Sequence, residues 1–466
     1  MTALADQQVA VRVKRAKALH LWWLSPVVVS IFVALASMVP SAMTDDAQYR
    51  QLWKTPKWLT ADMLLLFSCG VLALCFGSLI GMSVVRRRRT YASTWPNLSE
   101  DTVRLLTRAS TVLTITTVLG YLGFGYLIAR AGITPAVLFG GVSDDGTELK
   151  QRIGTIPGLT TLTQLGMAAV VASSLLLARR INRAELVKIA VIIGLAIPRA
   201  YIYSERLALL ELLLPVVVVA AAKLSTGTGI RRRVSQFIPV IGLASIVPIF
   251  GAFEYFRSWS FYKTHGQSSF LDFAIGRFAG YYSTALNNGE LIVNHMRWPG
   301  RWPFDTLEGF WSAPGISTLG FYEKLSGYEK ISGHVKPYSN TSDATPLAEL
   351  LKHYANPEFN NPSGYAGAFV DYGPFGGLIF LLLIGILFGM AYRAFCNAEI
   401  SGLLLYPVVF TGLVEMPRYI YWVQGRVTYT WLAFVLIIVL AARSRRKAEV
   451  STDHGQHEEP NPCNLV

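Results

Sequence analysis

Long apolar runs separated by short polar segments recur along the chain. A transmembrane helix needs about 20 mostly apolar residues to cross a hydrocarbon core of about 30 Å. By this criterion the sequence predicts ten spans, and the pattern as a whole predicts an all-α polytopic membrane protein with about 10 transmembrane helices. The spans lie near residues 21–41, 61–84, 109–129, 159–178, 186–203, 207–222, 236–254, 373–392, 402–417 and 427–442.

One long polar stretch interrupts this series between the seventh and eighth spans. It divides the chain into an N-terminal transmembrane bundle (1–254), a large, partly helical extracytoplasmic loop domain (255–372) and the C-terminal spans (373–442). The polar residues 443–466 are predicted to form a disordered cytoplasmic tail. Within the loop domain, the apolar spacing of Leu271–Tyr282 predicts a helix at the membrane interface.

The composition agrees with a membrane protein and excludes a single water-soluble domain. Hydrophobic residues make up 52% of the chain and charged residues 15%. The four cysteines are scattered and match neither a disulfide framework nor a zinc-binding spacing. No motif for a cofactor or a metal ion stands out, so we expect neither.

The formal net charge of +13 follows from membrane topology. Lys and Arg concentrate in alternate loops, most densely at Arg86–Arg89 and Arg231–Arg233. Because positively charged loops remain cytoplasmic, both termini are predicted to be cytoplasmic and residues 255–372 to lie outside. The excess charge then faces anionic membrane lipids rather than nucleic acid, which would require a continuous basic face on a soluble domain.

The loop domain is unusually rich in aromatic rings. Phe, Trp and Tyr account for 24 of its 118 residues, about a fifth, against 12% of the whole chain. A simple connector between spans would not need so many rings, whereas a carbohydrate pocket uses them to stack on sugar faces. The rings predicted to bind sugar are Trp259, Tyr262, Tyr281 and Tyr282.

Arginines recur at the predicted outer ends of the spans, where topology statistics disfavour basic residues. Their guanidinium forks match phosphate oxygens, so together they predict a site for the diphosphate of a lipid carrier. An alternative remains open for each of them, namely that it reaches lipid phosphate or pairs with a nearby carboxylate. These arginines are Arg199, Arg206, Arg257, Arg277, Arg418 and Arg426.

Three carboxylates near these arginines are candidates for a general base that accepts the proton of a sugar hydroxyl. They are Glu205, Glu254 and Asp371. Each also has a structural interpretation as a helix-end or turn residue, and Asp371 in particular is placed to cap the helix that follows.

Several stretches resemble Wzy-like O-antigen polymerases, the oligosaccharide repeat-unit polymerase family. They are Arg199–Pro215, Tyr255–Ser258, the Gly276-Arg277 step with Tyr281-Tyr282, and Asn361–Tyr365 leading into Asp371–Gly377. The resemblance implies a metal-independent glycosyltransferase with a GT-C-like fold in the bacterial inner membrane.

Such an enzyme joins undecaprenyl-diphosphate-linked oligosaccharides into a surface polysaccharide of the O-antigen or capsule type, with a chain-length regulator as a possible partner. The family's diphosphate-binding arginines correspond by this resemblance to Arg206, Arg257 and Arg277.

Other functions remain open from the sequence. An O-antigen ligase shares the architecture but transfers finished glycan to a different acceptor. A transporter or flippase for a lipid-linked sugar would place charged residues along a cavity within the spans. The predicted spans are nearly free of charge away from their ends, except for Glu211 and Glu415, and the polar residues collect at one face, which favours an enzyme.

Overall fold

The computed structural model describes most of the chain. The described residues are 21–86, 95–133, 153–156, 158–202, 207–255, 259–264, 269–295, 302–313, 315–326 and 346–456. Throughout these ranges the regular structure is helical and no strand occurs. The predicted all-α class is therefore confirmed.

The helices, numbered in chain order, alternate between long apolar elements and short polar ones. They are α1 (Pro26–Met43), α2 (Asp46–Trp53), α3 (Ala61–Val84), α4 (Glu100–Arg130), α5 (Gly166–Arg179), α6 (Arg183–Ile202), α7 (Leu207–Ser225), α8 (Ile230–Glu254), α9 (Ser260–Thr264), α10 (Phe270–His295), α11 (Glu308–Trp311), α12 (Phe321–Ser326), α13 (Pro346–Tyr354), α14 (Gly364–Cys396), α15 (Ile400–Glu415) and α16 (Gly425–Gln456).

Eight of the ten predicted spans correspond to helices that are long and apolar enough to cross a membrane: α1, α3, α4, α7, α8, α14, the stretch Thr160–Arg179 that ends in α5, and the first part of α16. The other two are helical but fall short of this criterion. Helix α6 carries four charged residues along its length, and α15 has only 16 residues. The chain is a multi-pass membrane protein.

Within the stretch 255–372, the described residues include a helix that enters the bundle. This helix, α10, is longer than the predicted Leu271–Tyr282 and packs against α1, α8 and α14. All residues from Ser283 to Ile292 on this helix are buried. The second half of α10 is therefore part of the helical bundle, because its small and amide side chains fit closely among the neighbouring helices.

Two other predicted boundaries also shift. Helix α14 begins at Gly364, whereas the span was predicted to begin at 373. Gly373 nevertheless marks a kink, with a φ of 70° that only glycine adopts readily, and Pro374 follows it. Helix α16 continues to Gln456, so residues 443–456 are helical where disorder was predicted, and 457–466 lie outside the described ranges.

Helices α3 and α14 pack backbone to backbone through small residues. A Cβ atom at Gly77 or Gly81 would collide with the carbonyl oxygens of Leu382 or Ile386, respectively. In the same way, a Cβ atom at Gly385 would collide with a backbone carbonyl of α3. The Gly77-x3-Gly81 step therefore serves helix packing.

The two ends of the bundle differ in chemistry. At one end Arg393 Nε donates to the Met82 carbonyl and Lys223 Nζ donates to the Trp95 carbonyl, both at 3.0 Å. The opposite end collects the C-termini of α6, α8 and α15 and the N-termini of α7, α14 and α16. Because successive spans run in opposite directions, residues far apart in sequence meet at this second end.

Candidate functional site

Arg277 lies in the first part of α10 and is buried, with 5% of its surface exposed. Its Nη1 atom donates to Glu358 Oε2 at 2.9 Å, and its Nε atom lies 3.4 Å from Oε2 of Glu254, the last residue of α8. Glu254 is itself fully buried. A buried arginine needs such partners, because leaving a buried charge uncompensated costs about 3–5 kcal/mol.

Aromatic rings surround this guanidinium. Its central carbon lies 5.6 Å from the ring centroid of Tyr262, 5.9 Å from that of Tyr281 and 4.9 Å from that of Phe359. The Tyr262 hydroxyl donates to Glu358 at 2.7 Å, and burial together with this bond raises the pKa of Tyr262 to about 12. The rings and the carboxylate hold the arginine in one orientation.

Arg418 follows α15 and approaches the same site from another direction. Its guanidinium carbon lies 5.6 Å from the Tyr281 ring centroid and 5.2 Å from that of Tyr419. Its Nη1 atom donates to Glu415 Oε2 at 2.9 Å, and its Nη2 atom donates to Asn361 Oδ1 at 3.4 Å. The predicted arginines Arg277 and Arg418 therefore share the Tyr281 ring.

A second group of charges lies beside the first. Arg426, near the start of α16, is 3.7 Å from Glu211 Oε2 on α7, and the Tyr421 hydroxyl donates to the same oxygen at 3.2 Å. The guanidinium of Arg199, at the end of α6, lies 5.2 Å from the Phe124 ring centroid. The sequence places Glu211 inside a predicted span, and the structure shows it paired with Arg426 near the N-terminal end of that span.

Tyr419 connects the two groups. Burial raises the pKa of its phenol, Arg418 and Arg426 oppose the rise, and Glu415 and Glu211 reinforce it. One buried phenol thus lies in the electrostatic field of four charges from both groups. Arg277, Arg418 and Arg426 therefore belong to one continuous polar region, and Arg199 borders it.

The predicted sugar-binding rings all lie on or beside α10. Tyr281 and Tyr262 contact Arg277, as described above. Tyr282 packs edge-to-face on Phe278, and burial raises its pKa to about 12. Trp259 packs against Phe270 and Phe273 rather than against the arginines, with ring centroids 5.3 and 5.5 Å apart.

Two buried asparagines on α10 hold this region in place through hydrogen bonds to the backbone. This role was not predicted from the sequence. Asn287 Oδ1 accepts hydrogen bonds from the backbone N–H groups of Trp58 and Leu59, at 2.7 and 3.0 Å. The neighbouring Asn288 donates to the carbonyls of Phe359 and Asn361 at 2.6 and 3.1 Å. These bonds fix the chain that leads into α14 relative to Arg277 on the same helix.

Asp371, a predicted general base or helix cap, accepts hydrogen bonds from a neighbouring chain segment. Its Oδ1 atom accepts from the backbone N–H groups of Phe304 and Asp305, and its Oδ2 atom accepts from both the N–H and the hydroxyl of Thr306. These bonds are 2.7–3.2 Å long. Asp371 therefore anchors the segment that leads into α11, instead of capping its own helix.

Glu308, the first residue of α11, is a titratable group that sequence reasoning missed. Burial raises the pKa of its carboxyl to about 7, and the Arg426 guanidinium opposes that rise. Helix α11 packs closely on the start of α16, because a Cβ atom at Gly309 would collide with the Thr428 hydroxyl. No sequence signal distinguishes Glu308 from a solvated loop residue, since its burial depends on α16.

The remaining predicted site residues, Glu205, Arg206 and Arg257, lie outside the described residues. The structure brings together nearly all the others. The residues in or bordering the polar region are Arg199, Glu254, Tyr262, Arg277, Tyr281, Tyr282, Arg418 and Arg426, with Trp259 set back by one layer of rings.

Fold and site together define an all-helical multi-pass membrane protein with a buried region of paired charges and aromatic rings at one end of its bundle. The sequence matches no protein-family model and no curated protein, and the fold matches no solved structure.

Proposed function

We propose that the protein is a membrane glycosyltransferase whose donor is a lipid-linked diphosphate sugar. In this proposal it polymerises undecaprenyl-diphosphate-linked oligosaccharide repeat units into a surface polysaccharide, without a metal ion. It acts at the outer face of a bacterial inner membrane, with both termini cytoplasmic. The observation that supports this most directly is the placement of the buried Arg277 and the half-buried Arg418 against the single ring of Tyr281.

The reaction needs charge stabilisation at a leaving group. The acceptor hydroxyl oxygen forms a bond to C1 of the donor sugar, and the bond from C1 to the diphosphate oxygen breaks. The electron pair leaves with the prenyl diphosphate, and the hydroxyl proton passes to a carboxylate. Arg277 and Arg418 hold the leaving group and stabilise the charge that develops on it.

Glu308 is our preferred proton acceptor among the carboxylates of this end. A base acts best when its pKa is near the working pH, and the pKa of Glu308 is about 7. Glu254 lies against Arg277 and positions it, whereas Asp371 holds the backbone only two residues before Glu308. In this proposal the two predicted acids therefore support the site and Glu308 carries the proton.

The direct test is transfer by the purified protein in lipid nanodiscs, supplied with a prenyl-diphosphate-linked oligosaccharide and a chelator. We expect a ladder of longer lipid-linked glycans and the release of prenyl diphosphate. Transfer of a single glycan to a different acceptor, with no ladder, would support a ligase instead. If the bond between sugar and diphosphate stays intact, the glycosyltransferase proposal is wrong.

The proposed orientation has its own test in intact cells. In a cysteine-free background, Lys352→Cys on exposed α13 should react with a membrane-impermeant maleimide before permeabilisation. The matched control, Arg231→Cys at the opposite end, should react only afterwards. The reverse pattern would place the arginine region at the cytoplasmic face and contradict the proposal.

A further inference from the structure

The backbone at the start of α14 has an unusual conformation and is hydrogen-bonded to the segment that connects α15 and α16. Ser363, the residue before the helix, has a φ of 66°, in the region that favours glycine. Its N–H donates to the Arg418 carbonyl at 2.8 Å, and the Gly364 N–H donates to the Met416 carbonyl at 3.0 Å. A Cβ atom at Gly364 would collide with that same Met416 carbonyl, so the two chains lie in close contact.

Three buried polar atoms at this point make no hydrogen bond to any described residue. They are Asn361 Nδ2, Ser363 Oγ and Arg418 Nε. Asn361 is 6% exposed and Ser363 is 2% exposed. Buried donors without a partner are rare in folded proteins, so three at one place, none bonded to a described residue, favour a bound ligand as their partner.

The chemistry of these groups selects an anion. Asn361 turns its oxygen toward Arg418 Nη2, at 3.4 Å, which leaves its amide N–H groups for another acceptor. Glu415 accepts from Nη1 of Arg418, which leaves the Nε–H of Arg418 for another acceptor. The N-terminus of α14 adds the positive end of a helix dipole, which favours phosphate or carboxylate oxygens.

We propose that Asn361, Ser363 and Arg418 form a phosphoryl-binding site at the N-terminus of α14. This site rests on the proposed function only in the identity of the molecule that carries the phosphoryl group, which we take to be a prenyl diphosphate. The Arg418 side chain is 18% exposed, so the ligand reaches the site along it. The site adds two uncharged residues to the arginine pair and places one phosphoryl group on the Arg418 side of Tyr281.

Binding to the full-length protein in detergent tests this site. The probes are farnesyl diphosphate, inorganic pyrophosphate and farnesol, and the readouts are affinity and ligand-induced thermal shift. Asn361→Asp should weaken farnesyl diphosphate binding by about ten-fold or more, because the new carboxylate pairs with Arg418 and repels the ligand. Farnesol should not bind here. If pyrophosphate binds as tightly as farnesyl diphosphate, the natural ligand is a free phosphate compound. If farnesyl diphosphate binds more tightly, the natural ligand is a lipid headgroup.

Ser363→Gly separates ligand binding from folding. Glycine adopts a φ of 66° without strain, so the ligand-free variant should melt at the same or a higher temperature than wild type. Loss of the hydroxyl should weaken farnesyl diphosphate binding by about three- to ten-fold. The matched control is Ser173→Ala on α5, another buried serine whose hydroxyl makes no hydrogen bond to a described residue, and it should bind like wild type.

Unchanged farnesyl diphosphate affinity in both Asn361→Asp and Ser363→Gly would overturn this site. The outcome is distinguishable from failure of the proposed function. If wild type binds the diphosphate in the expected manner but transfers no glycan, the phosphoryl site stands and the glycosyltransferase proposal falls. If all variants bind and transfer like wild type, the site falls and the enzyme proposal stands.

Discussion

Arg277 and Arg418 both lie against the ring of Tyr281, with guanidinium carbons 5.9 and 5.6 Å from its centroid. One comes from α10 and the other from the α15–α16 connection. Two cations beside one ring repel each other, and each is held by its own carboxylate, Glu358 for Arg277 and Glu415 for Arg418. A dianionic ligand between them would relieve the repulsion further.

Replacement of either arginine by lysine should reduce glycan transfer by about 10²-fold. Lysine keeps the charge but loses both the two-pronged fork and the flat contact with Tyr281. Arg50→Lys is the control, since Arg50 forms an exposed ion pair with Asp46 on α2, and it should leave transfer unchanged. Full activity in both Arg277→Lys and Arg418→Lys would show that neither guanidinium binds the leaving group.

Glu308 should give transfer a pH dependence near neutrality. Its pKa is about 7, so the carboxylate form that accepts a proton increases as the pH rises through that value. The wild-type rate at low acceptor concentration should therefore rise between about pH 6 and pH 8. In Glu308→Gln this rise should disappear together with most of the activity. A wild-type rise that persists in the variant would assign the proton to another group.

The same raised pKa should affect stability in the opposite sense. A carboxyl whose pKa is raised by folding favours the folded state while it is protonated. The stabilisation is complete below the ordinary pKa of 4.5 and is lost as the pH rises through about 7. The melting temperature of wild type should thus fall over this range relative to Glu308→Gln. Parallel curves would show that Glu308 titrates normally.

Glu358 should compete with the ligand for Arg277. Its carboxylate accepts from Arg277 Nη1 and from the Tyr262 hydroxyl, in the position that a phosphate oxygen would take. Glu358→Gln should therefore raise the affinity for farnesyl diphosphate by about three-fold or more. Asp272→Asn, an exposed acid on the same α10, is the control and should change little. Weaker binding in Glu358→Gln would mean that Glu358 orients Arg277 rather than blocking it.

The contact between α3 and α14 should tolerate no side chain at Gly81. Its Cβ atom would collide with the Ile386 carbonyl, so Gly81→Ala should lower the melting temperature in detergent by several degrees. Gly125→Ala on α4 is matched, because nothing lies within 4 Å of that Cβ position. It should be neutral or slightly stabilising, since alanine favours the helix. Equal effects of the two changes would contradict the close packing.

Sequence patterns predicted the helices better than they predicted the role of the residues between them. Apolar runs identified all eight described helices that are long and apolar enough to cross a membrane, because a span has to bury about 20 residues of its own whatever its neighbours are. Only the first half of α10 was predicted as a helix, because its second half carries polar side chains that are typical of a water-soluble segment. Its Asn287 and Asn288 are buried because the chain segments leading into α3 and α14 supply their hydrogen-bond partners.

The site residues also separate into those that the sequence indicates and those that only packing reveals. Arginines at the predicted outer ends of spans are visible in sequence, because the topology of the chain makes them unexpected there. Glu308, Glu358 and Ser363 were not identified as site residues. Glu308 depends on Arg426, Glu358 depends on Arg277, and Ser363 depends on a carbonyl beyond the end of α15.

By itself, therefore, the sequence determined the helical class, the membrane spans and the supply of arginines and rings at one end. These follow from local hydropathy and charge, which each segment carries independently. Only the tertiary structure decided that Arg277 and Arg418 meet at Tyr281, and which polar atoms at the start of α14 have no partner among the described residues. Those properties belong to pairs of residues from different helices, and the distances between them are set by packing.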